Sequence, residues 1–220
     1  MALTKNEKMK RKIVNQSKKL FAKQGYTDTS MRQIASQMGY KNQASLYYYY
    51  KHKKHIGREL FNLYFSSLNR YLFSLPEIHQ EQLLFLPLRE ICSCHLILMN
   101  TKALKFMIEV DSDSIFTIRD EKTDLYYGPV YTLMKKKNPS VTATDIKIAL
   151  SYYITGFTRI LREWDYAELG IDVEAFIERI PSVLLWFLRF EDKEIADMVN
   201  KARAIFSNIP KKDLARLRFF

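Results

Sequence analysis

Polar side chains suited to binding nucleic acid are concentrated between Ser30 and Lys54. Asn and Gln can pair in a bidentate way with adenine, and Lys can donate to guanine. Lys, Arg and Ser side chains, and the N–H groups at a helix N-terminus, can bind phosphate oxygens. The residues of these types that we expect to face outward in this stretch are Ser30, Arg32, Lys41, Asn42, Gln43, Ser45, Tyr48 and Lys53.

The elements that would position these side chains are two short helices. The first is predicted from an N-cap Ser30 and an apolar set at helical spacing, which consists of Met31, Ile34, Ala35 and Met38. Gly39 ends it, because Gly adopts the left-handed cap conformation without steric cost. A polar turn then leads to a second short helix with Leu46, Tyr47 and Tyr50. This pattern predicts a helix-turn-helix, whose second helix enters the DNA major groove.

The run of four tyrosines in the second helix has two interpretations. Tyr47 and Tyr50 are three residues apart and can share a face, so at least one of them is expected in the core. Tyr48 points elsewhere and is the better candidate for contact with DNA. The alternative is that all four tyrosines form the edge of the core.

Longer helices flank this pair. Residues 4–24 are predicted to form a helix with an apolar face at Ile13, Val14, Leu20 and Phe21, ended by Gly25. Its basic start, from Lys8 to Lys12, is either an arm that touches phosphates or a solvated helix end. A second long helix is predicted from residue 53 to about residue 75, where Pro76 ends it. Its expected apolar stripe consists of Ile56, Leu60, Leu63, Ser67, Leu68 and Tyr71.

The charge of the chain is localised. The formal net charge is +11. Residues 1–60 hold 14 Lys and Arg residues but only three acids, Glu7, Asp28 and Glu59, so this excess lies entirely in the first quarter of the chain. A basic segment on a neutral remainder indicates a part that binds a polyanion. The two cysteines form no disulfide framework, no segment resembles a signal peptide, and no apolar run reaches membrane-spanning length, so we expect a cytoplasmic protein.

The stretch from Ile13 to Leu60 resembles the DNA-binding domain of the TetR family of bacterial transcriptional regulators. The matching residues are Leu20-Phe21, Gly25-Tyr26, Thr29-Ser30, Ile34-Ala35, Gly39, Leu46-Tyr47, Tyr50, Lys53 and Ile56. The resemblance implies a homodimeric, all-helical regulator with a C-terminal effector and dimerisation domain. It also implies that Thr29, Tyr47 and Lys53 bind phosphates and that the start of the second short helix contacts bases. The link from Gly39 to Leu46 is one residue longer than the commonest family pattern, and we expect Asn42 to cap the second helix.

The remaining sequence predicts further helices over residues 79–110, 115–137, 142–167, 172–188 and 191–209. Gly128-Pro129 suggests a break, Thr142 and Asp145 a capping box, and Asp172 a cap. Cys92, Cys94 and His95 suggest a metal site, but residues two apart on a helix diverge, so buried side chains are the better interpretation. Residues 109–114 resemble a fragment of a calcium loop without its Gly and distal Glu, and we interpret them as helix caps. The last ten residues are basic and expected to fray.

Two sets of apolar residues suggest further functions for these helices. The helices over 142–167 and 172–188 are apolar on more than one face, which favours a twofold interface between two copies, although burial within one chain is the alternative. The predicted interface residues are Tyr153, Phe157, Leu161, Trp164, Phe176, Ile180, Leu184 and Phe187. The candidate walls of an effector pocket, for which ordinary core is the alternative, are Met99, Phe106, Met107, Phe116, Tyr126, Tyr127, Tyr131 and Tyr153.

The sequence therefore predicts an all-α protein with a helix-turn-helix domain over residues 1–52 and a helical effector-binding and dimerisation domain over residues 53–220. The main hypothesis is a homodimeric transcriptional regulator of double-stranded operator DNA, a repressor released by a small apolar ligand. The alternative is a structural or scaffolding DNA-binding protein that responds to no ligand. A helical enzyme is disfavoured, because no paired carboxylates, nucleophile elbow or phosphate loop is present. No metal and no cofactor are expected.

Overall fold

A computed structural model describes residues 4–111, 127–165 and 172–220 of the chain. These ranges are helical, which confirms the all-α prediction. The helices are α1 (Lys5–Gln24), α2 (Met31–Gln37), α3 (Ala44–Tyr47), α4 (Lys53–Leu72), α5 (Pro76–Gln80), α6 (Phe85–Leu98), α7 (Thr101–Asp111), α8 (Tyr127–Lys137), α9 (Ala143–Asp165), α10 (Val173–Phe187), α11 (Asp192–Asn208) and α12 (Lys211–Arg216). We call residues 4–52 the head and the described residues from 53 onward the body.

Local capping explains where the helices of the head begin and end. Thr4 and Glu7 form a capping box at the start of α1, and Ser30 and Gln33 form one at the start of α2. Gly39 follows α2 with φ +77°, which confirms its predicted role as a stop. The apolar face of α1 is buried against α2 and α4, so the three helices share one core.

The body is built around α6, which is buried on nearly all sides. It packs against α4, α7, α10 and α11, and the one residue of the helix that is not buried is His95. Arg89 and Glu90 of α6 are both inside this core, where the Arg89 guanidinium donates to Glu90 Oε1 over 3.1 Å. Cys92 and Cys94 are fully buried and not disulfide-bonded, which confirms their prediction as buried side chains.

The caps predicted in the body are confirmed. The Asp145 N–H donates to Thr142 Oγ1 over 3.1 Å while Asp145 Oδ2 accepts from the Thr142 N–H over 2.9 Å. Asp172 Oδ1 accepts from the Ala175 N–H over 2.7 Å at the start of α10.

The end of α4 and part of its apolar stripe differ from the prediction. The helix ends at Leu72, and Pro76 begins the short helix α5 at its first position, where the missing N–H has no helical partner to lose. The predicted stripe is confirmed at Ile56, Leu60 and Leu68, which are buried, but α4 packs against both α1 and α6 and so buries a wider face. Leu63, a predicted member, is 39% exposed, whereas Phe61, Tyr64 and Phe65 are buried.

The expected fraying of the C-terminal residues was also wrong. Residues 211–216 form α12, and Phe219 beyond it is 2% exposed. The Phe219 ring lies 4.8 Å from the Tyr64 ring of α4 and 4.9 Å from the Phe106 ring of α7, measured between centroids. Aromatic packing outweighs the basic character of the neighbouring residues and holds this segment on the body.

Several predictions fall outside the described residues. They concern Phe116, Tyr126, the side chain of Trp164, most of the fragment 109–114 and the first part of the helix predicted over 115–137. Within the described part, Gly128 and Pro129 lie in the first turn of α8.

In the described ranges, no single helix is long and apolar enough to cross a membrane. One pair meets the length and composition requirement together, Gln82–Leu98 with Thr101–Val110, and it is bent by 106°.

Candidate nucleic-acid interface

The helix α3 is a single turn that is held on the head by two apolar anchors. Leu46 is fully buried and Tyr50, just beyond the helix, is 4% exposed. The Tyr50 hydroxyl donates to Glu59 Oε2 of α4 over 2.5 Å. Burial first, and then the Glu59 carboxylate, raises the pKa of Tyr50 well above its ordinary value, so the hydroxyl keeps its hydrogen. These anchors fix which face of α3 points outward.

The outward face of α3 and its turn consists of polar and aromatic side chains. Lys41, Asn42, Gln43 and Ser45 are all exposed, as predicted. Tyr48 is 79% exposed and Tyr47 is 45% exposed, so the tyrosine run splits between core and surface. The expected cap is displaced by one residue, because Gln43 is the N-cap of α3 and makes no side-chain capping bond. Asn42, the residue before it, accepts with Oδ1 from the N–H of Ala44, the first residue of α3, over 2.9 Å. This hydrogen bond uses only the amide oxygen of Asn42 and leaves the side-chain NH₂ group out of it.

The start of α2 adds further polar groups. Ser30 and Arg32 are exposed, and the Ser30 hydroxyl and N–H both lie within hydrogen-bond distance of Gln33 Oε1, at 2.9 and 2.7 Å. Gln33 was not among the predicted site residues, although its position three residues after Ser30 is a capping-box signal in the sequence. The capping box satisfies backbone N–H groups at the start of α2 and so orders this helix end.

Two predicted phosphate contacts have internal partners. Thr29 is 1% exposed, and its hydroxyl donates to the Gly25 carbonyl over 2.6 Å, so its side chain belongs to the turn between α1 and α2. Lys53 Nζ donates to the Tyr26 carbonyl over 2.7 Å and to the Thr27 carbonyl over 3.0 Å, and it lies 4.3 Å from the Tyr26 ring centroid. The structure therefore brings both residues to the turn between α1 and α2.

The electrostatic field of the head is positive along α1 as well. An open groove of about 990 Å³ follows the outer face of α1 and reaches the turn between α6 and α7. Its charged lining is entirely cationic and consists of Lys8, Arg11, Lys12, Lys18, Lys19 and Lys102. Burial lowers the pKa of Lys18. A polyanion would meet this basic surface on the same domain as α3.

The predicted effector-pocket residues are not gathered around one described cavity. Met99 is 65% exposed and lines the basic groove. Phe106 packs against Phe21 and Tyr26 of the head, with ring centroids 5.8 Å apart in each case, and Met107 is buried. Tyr127 donates to the Ala143 carbonyl over 2.9 Å and stacks on Tyr131.

The predicted dimer-interface residues whose side chains the structure describes lie in the core or at its edge. Tyr153, Leu161, Phe176, Ile180 and Leu184 are buried within the chain, and the Tyr153 hydroxyl donates to Glu90 Oε2 over 2.6 Å. Phe157 and Phe187 are partly buried. The apolar side chains that α9 and α10 leave exposed are Ile148, Tyr152, Val183 and Trp186, with exposures of 40–68%. We call these four residues the apolar face.

Among the described residues, no group of three or more His, Cys, Asp or Glu side chains is placed to hold a metal ion. His95 packs its ring against Phe206 of α11, with centroids 5.2 Å apart. Burial, and then the charge of Arg218, lowers the pKa of His95.

Comparison with known families gives one match. Residues 13–60 match the model of the family described as bacterial regulatory proteins, tetR family. Comparisons with curated proteins and with solved structures found no match.

Proposed function

Because residues 13–60 form a helix-turn-helix domain of the tetR family of bacterial regulatory proteins, we propose that this DNA-binding transcriptional regulator acts as a dimeric repressor. The observation that supports operator binding most directly is the division of α3 into buried anchors and a polar outer face. Leu46 and Tyr50 hold the helix, while Gln43, Ser45 and Tyr48 are free to enter the major groove.

In this mechanism, base contacts come from Lys41, Asn42, Gln43, Ser45 and Tyr48, and phosphate contacts from Ser30, Arg32 and Tyr47. The charge of the head and of the basic groove attracts the duplex at long range. Thr29 and Lys53 act through the turn that they hold, because their polar groups bind backbone atoms within the chain.

Dimerisation is the second part of the proposal. The apolar face lies on α9 and α10, and Tyr152 and Phe187 stack there with ring centroids 6.4 Å apart. Exposed aromatic side chains grouped on two neighbouring helices are typical of a surface that another protein covers. A second copy with the same face would bury it symmetrically and would set two α3 helices about 34–36 Å apart, or a multiple of that distance.

Release by a small apolar ligand is the third part. The two α3 helices of a dimer would fit the operator at one spacing. A ligand that binds more tightly to a body conformation with a different spacing would weaken operator binding. The size of this effect is set by the ratio of the ligand's affinities for the two conformations. The alternative, a DNA-binding protein without a ligand, is favoured by the close packing of Phe106 and Tyr153 inside the chain. Thermal-shift screening separates the two, because a ligand of the native state raises the melting temperature by mass action.

The deciding experiment measures binding to DNA from upstream of the protein's own coding sequence and to a scrambled duplex of equal length, across a salt series. Specific binding that outlasts binding to the scrambled duplex at high salt is expected. Gln43→Ala should then cost about 1–3 kcal/mol on the specific duplex and little on the scrambled one. Equal and steeply salt-dependent binding to both duplexes would contradict sequence-specific regulation by this site.

A further inference from the structure

The turn between α1 and α2 is contacted from the body by one carboxylate. Glu109 Oε2 of α7 accepts from the Tyr26 N–H over 2.5 Å and from the Thr27 N–H over 2.9 Å. The Glu109 side chain is 13% exposed, so these bonds are largely shielded from water. Charge-assisted bonds to backbone donors are about twice as strong as neutral ones.

The same turn is held from its other side by α4. Lys53 Nζ donates to the carbonyls of Tyr26 and Thr27, the two residues whose N–H groups bind Glu109. The backbone of these two residues is therefore fixed by an anion on α7 and a cation on α4. Ser30, which caps α2 at the proposed DNA surface, follows three residues after Thr27.

Close packing surrounds the contact. Gly25 has φ +97°, a backbone conformation that strains residues with a side chain. A Cβ atom there would also lie 3.0 Å from Glu109 Oε1, so the Glu109 carboxylate would have to shift. The rings of Phe21, Tyr26 and Phe106 pack against one another beneath the turn, and Phe219 packs on Phe106. The orientation of α7 and that of the turn are linked through this packing.

We propose that Glu109 is a positioning residue through which the body sets the orientation of the head on DNA. The inference rests on the proposed function and adds a regulatory contact to it. With the Glu109 bonds formed, the start of α2 is held in one orientation. When α7 moves, the two N–H groups lose their acceptor and the start of α2 becomes free to reorient, which lowers operator affinity because order must be restored on binding.

The test compares Glu109→Gln with Lys105→Gln by hydrogen exchange at the Tyr26 and Thr27 amides, without DNA. Glu109→Gln keeps the size of the side chain but removes its charge and one of its acceptor oxygens. Lys105→Gln is the matched control, because Lys105 Nζ lies 3.6 Å from Glu109 Oε1, is 55% exposed and does not contact the turn amides. We expect exchange at the two amides to accelerate roughly tenfold to a hundredfold in Glu109→Gln, the range for losing a hydrogen bond to a charged group, and to stay unchanged in Lys105→Gln.

Operator binding of the same variants gives the second measurement. Glu109→Gln should lose several-fold in specific affinity with an unchanged salt slope, because Glu109 touches no phosphate in this arrangement. Unchanged amide exchange, or an equal acceleration in both variants, would overturn the positioning role. If Glu109→Gln does not fold, Glu109→Asp takes its place, because it keeps the charge but withdraws the carboxylate by one methylene. Unchanged exchange at the Tyr26 and Thr27 amides in Glu109→Asp would then overturn the positioning role. Failure of the wild-type protein to bind operator DNA would contradict the proposed function, while the exchange result would still decide the contact.

Discussion

Tyr50 donates its phenolic hydrogen to Glu59 over 2.5 Å, and this bond joins the segment after α3 to the second turn of α4. The Tyr50 ring is almost fully buried, so removing the hydroxyl also leaves a carboxylate oxygen without this donor. We expect Tyr50→Phe to reduce the free energy of unfolding by about 1.5–3 kcal/mol, the range for a hydrogen bond to a charged group. Denaturant unfolding measures the effect, with Tyr47→Phe, at a 45% exposed position, as the control that should change stability by less than about 0.5 kcal/mol.

Asn42 is expected to have two separable roles. Its Oδ1 accepts from the N–H of Ala44 at the start of α3, and its NH₂ group is the proposed base contact. Asn42→Asp keeps this acceptor and replaces the NH₂ donor with a negative charge, so specific DNA affinity should fall by about 1–3 kcal/mol while stability stays close to that of the wild type. Asn42→Ala should lose both. If Asn42→Asp binds the operator as well as the wild type, Asn42 is not a base contact.

Lys53 is expected to act mainly on the stability of the head. Its ammonium group binds two backbone carbonyls and lies over the Tyr26 ring, so Lys53→Met should cost about 1–3 kcal/mol of unfolding free energy. Lys51→Met is the matched control, since Lys51 is exposed. A salt slope of DNA binding that is flatter by about one unit in Lys53→Met, at unchanged stability, would instead identify Lys53 as a phosphate contact.

The apolar face predicts how oligomerisation responds to charge. Trp186, a member of the apolar face, is 64% exposed, and Trp186→Arg should convert a dimer into a monomer because it would add like charges to both copies of the proposed interface. Sedimentation velocity measures the change. Met99→Arg is the control, because Met99 is similarly exposed, at 65%, but lies at the turn between α6 and α7. A wild-type protein that sediments as a monomer would contradict the interface.

His95 predicts a pH dependence of stability. Burial lowers its pKa in the folded state below the ordinary value of 6.5, so the unfolded chain takes up the proton first as the pH falls. The free energy of unfolding should therefore decrease below about pH 6.5 until the lowered pKa of the folded state is passed. His95→Gln should remove this part of the pH dependence, measured by denaturant unfolding between pH 7.5 and 5. The exposed His79, changed to Gln, serves as the control, and identical pH profiles for the wild type and His95→Gln would contradict the assignment.

The features that were predictable from the sequence depend on neighbours within about four residues. Ser30 and Gly39 define the two ends of α2 through local hydrogen bonds and backbone conformation, and each was predicted in its place. The cap expected at Asn42 was displaced by one residue, to Gln43. Alternation between buried and exposed positions around α3 follows from helical spacing in the same way.

The features that were missed depend on distant parts of the chain. Glu109 is 83 residues from Tyr26 along the sequence, and no local pattern links the two. Phe219 was assigned to a fraying end because its neighbours are basic, yet it packs on rings from α4 and α7. Lys53 was expected to bind phosphate because of its place near the start of α4 and because of the family resemblance. No local pattern indicates the carbonyls that it binds, which belong to Tyr26 and Thr27, 27 and 26 residues away.

The brevity of α3 has a consequence for how such a protein can diverge. A single helical turn with two buried anchors, Leu46 and Tyr50, leaves most of its neighbouring positions without a role in the core. Substitutions at Gln43, Ser45 and Tyr48 can therefore accumulate at little cost to folding. A duplicated copy of the gene could acquire a new set of target promoters through a few such changes, while the rest of the chain stays as it is.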